Sequence, residues 1–220
     1  MSRLEELFSD TSTVELVKRK LPKLFQMAEL ESSRAGKVGM EVGSLRERII
    51  IALLIHKFGS ENVDTDIPIT ETQVDVKLFG EPVSVKTITG DGGVKAVWTV
   101  DAQSAASFIG TYSPRCDILL AQIKWGCNAF SHVLPGTPHH PGGLFLIPLG
   151  AQNAVFSKMG RQNYLKMPKQ GTNPRGVEFS KGAVKSLLQH SDTKCIPVLW
   201  KKQKIDYDPY KRWVDYWAAD

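Results

Sequence analysis

Asp75 and Lys86 are the residues whose types and spacing suit phosphodiester hydrolysis. A carboxylate can hold a divalent cation against a scissile phosphate. A lysine beside it orients or helps deprotonate the attacking water and offsets the charge building on phosphorus. In the stretch 72–79, Val74, Val76 and Leu78 alternate with Gln73, Asp75 and Lys77, the period-two pattern of a half-buried strand. From Val83 to Ile88 the alternation returns, with Ser84, Lys86 and Ile88 on one side and Val83, Val85 and Thr87 on the other. A two-residue loop at Gly80 and Glu81 predicts Phe79 opposite Pro82, Lys77 opposite Ser84, and Asp75 opposite Lys86 on one face. A surface salt bridge across a hairpin fits the same pattern and contributes little to stability.

The third group must come from elsewhere. Ser44–Phe58 reads as a helix, opened by the S-x-x-E capping box of Ser44 and Glu47 and closed by Gly59. Two readings of Glu47 follow. As a cap it satisfies a backbone nitrogen at the helix start; yet it shares a face with Ile50, Ile51, Leu54 and Phe58, so a carboxylate there needs a partner or a cation. Asp75-Val76-Lys77 is a literal D-x-K, but choosing it leaves Lys86 without a role and calls on Asp64, Asp66 or Glu71 for the other ligand.

Around this centre the chain orders itself simply. Residues 1–30 carry apolar side chains at helical spacing, with Thr11 or Ser12 as cap and a break or kink at Pro22. Ser33–Gly43 is glycine-rich and reads as a loop, with Met40 either a buried anchor beneath it or a wedge between base pairs. Later strands are expected at Ala96–Val100, Asp117–Ile123, Leu144–Leu149 and Ile196–Trp200, with helices at Asp101–Phe108 and Gly182–His190. The loops between offer Lys158, Arg161, Asn163, Lys169, Asn173 and Arg175 for phosphates and base edges, and His139 and His140 face solvent or DNA.

With 42% apolar residues, 220 residues can bury one sizeable core, which predicts a single α/β domain over 1–220 with N-terminal helices and a basic C-terminal segment. No apolar run reaches membrane-spanning length and Glu5 and Glu6 spoil a signal peptide, so the expectation is a cytoplasmic protein with no membrane partner. Cys116, Cys127 and Cys195 lack disulfide or zinc spacing, even with His132, His139 and His140 nearby. Residues 151–220 hold 13 Lys and Arg against 6 Asp and Glu, while residues 1–150 hold 15 against 17. The aromatic, basic run from Lys201 to Trp213 is either a phosphate-contacting surface or an ordinary solvated tail.

The order of helix carboxylate, strand carboxylate and strand lysine resembles the PD-(D/E)xK nuclease superfamily. In detail VGMEVGSLRERIIIALL and ITETQVDVKLFGEPVSVKT resemble the ThaI-type type II restriction endonucleases. The resemblance implies a mixed central sheet flanked by helices, Glu47 and Asp75 as Mg²⁺ ligands joined by the Val85 carbonyl, Lys86 as catalytic lysine and Met40 as an intercalating residue. It also implies a homodimer cutting double-stranded DNA at the centre of CGCG to leave blunt ends, paired with a cognate DNA methyltransferase. Ser84 departs from the pattern, which expects Asp or Glu two residues before the lysine. A structure-specific repair or recombination nuclease and a noncatalytic DNA-binding protein are the rival readings.

Overall fold

The computed structural model describes residues 3–34, 37–39, 41–68, 70–97, 102–127, 133–166 and 176–219. After a 3₁₀ turn at Arg3–Glu5, α1 (Glu6–Ser9) and α2 (Thr11–Glu31) follow, parted at Asp10. Asp10, rather than Thr11 or Ser12, is the cap: its carboxylate accepts from the Ser12 N–H at 3.1 Å and the Thr13 hydroxyl at 2.6 Å. Pro22 does not break α2; it lies buried inside it, an instance of packing overriding propensity. The glycine-rich stretch is not simply loop. It carries a short antiparallel pair, β1 (Ser33–Arg34) with β2 (Lys37–Val38), and its last residues already belong to α3 (Val42–Phe58).

β3 (Val63–Asp64) and β4 (Val76–Leu78) lead into β5 (Glu81–Thr89). β6 (Val94–Val97), α4 (Ala102–Thr111), β7 (Asp117–Ile123) and β8 (Gly142–Ile147) come next. β6 covers only the first half of the expected 96–100 strand, whose remainder, with the proposed cap Asp101, lies outside the described residues. α5 (Leu149–Met159), α6 (Arg161–Tyr164), β9 (Leu165–Lys166), β10 (Val177–Phe179), α7 (Lys181–Leu188), β11 (Lys194–Pro197) and α8 (Lys211–Ala218) complete the chain. The last strand thus ends at Pro197, and Trp200 is a buried residue beyond it.

The main sheet has six strands in the order β11-β8-β7-β5-β4-β3. β5 and β7 run parallel and their other neighbours antiparallel, so the sheet is mixed. One face packs Val83, Val85 and Leu119 under Leu21 and Phe25 of α2 and Ile50 and Leu54 of α3. The opposite face packs Ile118, Leu120 and Phe145 against Val155, Tyr164 and Leu187, with Val94, Val177 and Phe179 of the small sheet β6-β10-β9. Burial on both faces explains the unbroken apolar runs of β7 and β8. Among the described residues no helix is long and apolar enough to cross a membrane.

The turn between β4 and β5 differs from expectation. Leu78 pairs with Glu81, Lys77 with Pro82 and Val76 with Val83, so the two-residue loop is Phe79-Gly80. Phe79 and Gly80 have φ of 51° and 83°, the doubly left-handed turn whose twist matches that of paired strands. Relative to the expected register the strands slide by two residues, and a slide of two preserves every side chain's face.

Candidate active site

The slide sets Asp75 opposite Ser84, with Lys86 on the diagonal, a span that a lysine side chain covers. Asp75 Oδ2 accepts from Ser84 Oγ at 3.1 Å, the Val85 N–H at 2.7 Å and Lys86 Nζ at 2.9 Å. Its own N–H donates to the Val83 carbonyl at 3.0 Å, so Asp75 terminates β4 by offering β5 a carboxylate where the ladder would continue. Lys77 is drawn away, 3.9 Å from Glu71. The literal D-x-K triplet is therefore not the ion pair that forms.

Glu47 is not a helix cap. α3 begins at Val42, with Glu41 in the capping position, and Glu47 lies more than a turn inside where backbone N–H groups are already paired. The capping-box reading failed because the helix starts two residues before Ser44; the Val42 N–H donates to the Gly39 carbonyl at 3.4 Å. Half-buried on the face packed against β5, the Glu47 carboxylate makes no hydrogen bond with a described residue. Burial pushes its pKa up to about 7, against the lowering pull of Lys86 and with a further raising push from Asp75. Glu47, Asp75 and Lys86 thus share one electrostatic neighbourhood.

Two acids without a proton to share repel unless a cation sits between them. A half-buried carboxylate with no donor among the described residues, beside one whose three bonds to them all fall on a single oxygen, suits an oxygen-ligand divalent ion such as Mg²⁺. The Ser84 hydroxyl is engaged with Asp75, so it steadies that carboxylate and does not stand in for the missing third acid. Among the described residues no group of three or more His, Cys, Asp and Glu forms a metal cluster, and His132 lies outside the described residues. The Cys116 thiol, bonded to the Gln73 carbonyl at 3.3 Å, is pushed by burial up to about 11 and stays protonated. The apolar hollow of about 260 Å³ between α2 and α3, lined by Leu16, Leu24 and Leu53, lies on the far side of α3 from Glu47.

Met40, Lys169, Asn173 and Arg175 lie outside the described residues. Arg161 is not free for phosphate: its guanidinium donates to the carbonyls of Gly110 at 2.5 Å and Tyr112 at 3.3 Å. His140 is buried, and its Nδ1 accepts from the Gly142 N–H at 3.0 Å, so only His139 of that pair faces outward. The basic segment is partly tied down, with Lys202 at 3.1 Å from Glu29 and Arg212 at 2.8 Å from Glu31, while Trp213 and Trp217 of α8 stand exposed. Sequence reasoning missed the buried pair of Glu29 and Arg46, 2.5 Å apart. Its one signal was an arginine placed next to Glu47 at the start of an apolar helix.

A solved structure described as "Restriction endonuclease in complex with substrate DNA" is similar at 51% identity, with a TM-score of 0.86 over 99% of each chain. No relative is found among curated proteins. The family model described as "Restriction endonuclease ThaI" matches residues 7–219. With that match spanning nearly its whole length, the chain belongs to the ThaI family of restriction endonucleases.

Proposed function

We propose that the protein is a Mg²⁺-dependent type II endonuclease in which Glu47 and Asp75 hold the cation, joined by the Val85 carbonyl, and Lys86 serves the attacking water. The observation carrying this reading is the convergence of a helix carboxylate, to which no described residue donates, with the Asp75–Lys86 pair at 2.9 Å. A bound divalent ion would polarise the phosphate and lower the pKa of a coordinated water. The chain's own residues do the rest. The Val85 N–H and Ser84 hydroxyl fix the Asp75 carboxylate in one orientation. Lys86 Nζ, which donates to Asp75 Oδ2 at 2.9 Å, would hydrogen-bond the attacking water and offset the charge building on the phosphoryl oxygen.

By likeness to the family, the substrate is the palindrome CGCG, cut at its centre. A two-fold site calls for a two-fold protein, hence a homodimer, and Met40 between β2 and α3 would enter a base step from the minor groove. A cognate methyltransferase in the same cytoplasm completes the proposed pairing.

Digestion of a defined plasmid with Mg²⁺, followed by sequencing of the ends, is the test. Discrete bands with blunt CG termini are expected; a smear would favour a repair-type nuclease and unchanged DNA a noncatalytic binder. Glu47→Ala, Asp75→Ala and Lys86→Ala should each lose at least a hundredfold in cleavage rate, while Lys77→Ala should cut normally. Full cutting by Lys86→Ala, or loss in Lys77→Ala, overturns the assignment.

A further inference from the structure

We propose that Glu29, through Arg46 and Thr89, positions Glu47 for cation binding, an inference that rests on Glu47 and Asp75 being the cation's ligands. Glu29 of α2 is buried, 7% exposed, and gathers three donors. Its Oε1 accepts from Arg46 Nη2 at 2.5 Å and Trp125 Nε1 at 2.6 Å, and its Oε2 lies 3.1 Å from Lys202 Nζ. Arg46, 5% exposed, reaches on with Nη1 to the Thr89 hydroxyl at 3.1 Å. One carboxylate therefore joins α2, α3, the end of β5, the turn after β7 and the C-terminal segment.

Arg46 immediately precedes Glu47 in α3, and Thr89 follows Lys86 by three residues in β5. The same helix turn thus meets the same strand at two places: Arg46 is hydrogen-bonded to Thr89, and Glu47 lies within electrostatic reach of Lys86. Adjacent helical residues are set roughly 100° apart, so holding the Arg46 side chain holds the direction of Glu47. The precision matters because a side-chain tip roughly 6 Å from the helix axis moves about 1 Å for a 10° rotation, whereas cation–oxygen distances tolerate only about 0.2 Å. Apolar contacts of Ile50 and Leu54 hold α3 down without fixing its rotation, being non-directional. The other ion pair of α3, Lys57 with Asp10, lies about three turns away.

Stability alone does not account for this network. Buried ion pairs are weak stabilisers against well-packed apolar groups, and here the Arg46 Nε is buried with no hydrogen-bond partner among the described residues. Outer partners that orient a metal ligand commonly change cation affinity by about 10- to 100-fold when removed. Glu29 and Arg46 touch neither the cation nor DNA in this scheme; they act through Glu47.

The experiment compares wild type with Glu29→Gln, Thr89→Val and Thr89→Ser, measuring Ca²⁺ binding to the protein–DNA complex by calorimetry alongside the Mg²⁺ dependence of cleavage. Glu29→Gln should weaken Ca²⁺ binding at least tenfold and raise the Mg²⁺ requirement equally, with cleavage at saturating Mg²⁺ within about threefold of wild type. Thr89→Val, at an exposed position, should show the same split at about threefold with an unchanged melting temperature, and Thr89→Ser should restore wild-type binding. Wild-type Ca²⁺ affinity in Thr89→Val overturns the proposal even where Glu29→Gln fails to fold. Glu47→Gln separates the two levels: unchanged Ca²⁺ affinity there overturns the ligand assignment itself, whereas lost affinity there with normal binding in the Glu29 and Thr89 variants overturns only the positioning role.

Discussion

Glu47 shows how one carboxyl couples folding to protons and, on its proposed role, to a cation. Its ordinary value is 4.5 and burial lifts it to about 7 in the folded protein, so the folded state takes up a proton that the unfolded chain releases earlier. The stabilisation this provides is complete below pH 4.5 and is lost as pH rises through about 7. Above that, the ionised carboxylate costs the metal-free protein about 3 kcal/mol. Glu47→Gln should therefore melt higher than wild type at pH 8 without metal, the gap narrowing towards pH 5. Added Mg²⁺ should stabilise wild type and leave the variant unmoved. Calorimetry at both pH values, with and without Mg²⁺, checks this; equal melting points at pH 8 would show the site to be open to water. Cleavage at subsaturating Mg²⁺ should likewise rise with pH through about 7 if Glu47 is a ligand as proposed, since metal and proton would compete for one carboxylate.

At the scale of elements, the β4–β5 hairpin depends on backbone conformation. Gly80 has φ of 83°, and a Cβ there would meet open space, so Gly80→Ala should cost only the left-handed penalty of about 1–2 kcal/mol in urea unfolding while cleavage persists. Gly142 has a similar φ of 80°, but a Cβ would fall 2.3 Å from the Gln122 carbonyl in the neighbouring strand. Gly142→Ala should thus yield little folded protein, seen as loss of soluble expression. What the sequence revealed and concealed divides along the same line. β7 matched the expected Asp117–Ile123, since an apolar run of that length between turn signals has few other uses. The turn was misplaced because a phenylalanine at φ 51° gives no sign in composition. The pairing of Asp75 with Lys86 survived that error through the two-residue parity of strands, not through correct register. The parallel pairing of β5 with β7 and the Glu29–Arg46 contact join residues distant in sequence, and neither leaves a periodic trace.

For the molecule as a whole, charge and topology are separately distributed. The excess of 13 basic over 6 acidic residues in 151–220 is far from the acids of the site in sequence, and it supplies a general attraction for a polyanion. Binding to a CGCG duplex should weaken at least a hundredfold between about 50 and 200 mM salt, measured with Ca²⁺ in place of Mg²⁺. A salt-insensitive affinity would mean that these residues do not meet phosphate. The chemistry, in contrast, is assembled across layers: Asp75 and Lys86, 11 residues apart, share a hairpin, while Glu47 arrives on a helix laid over the sheet. On the proposed roles, a half-formed chain with its hairpin closed and α3 adrift holds a lysine and a solitary acid. Such a chain clings to DNA and leaves it whole, so the power to cut awakens with the meeting of helix and sheet, and a misfolded copy is harmless to the genome around it.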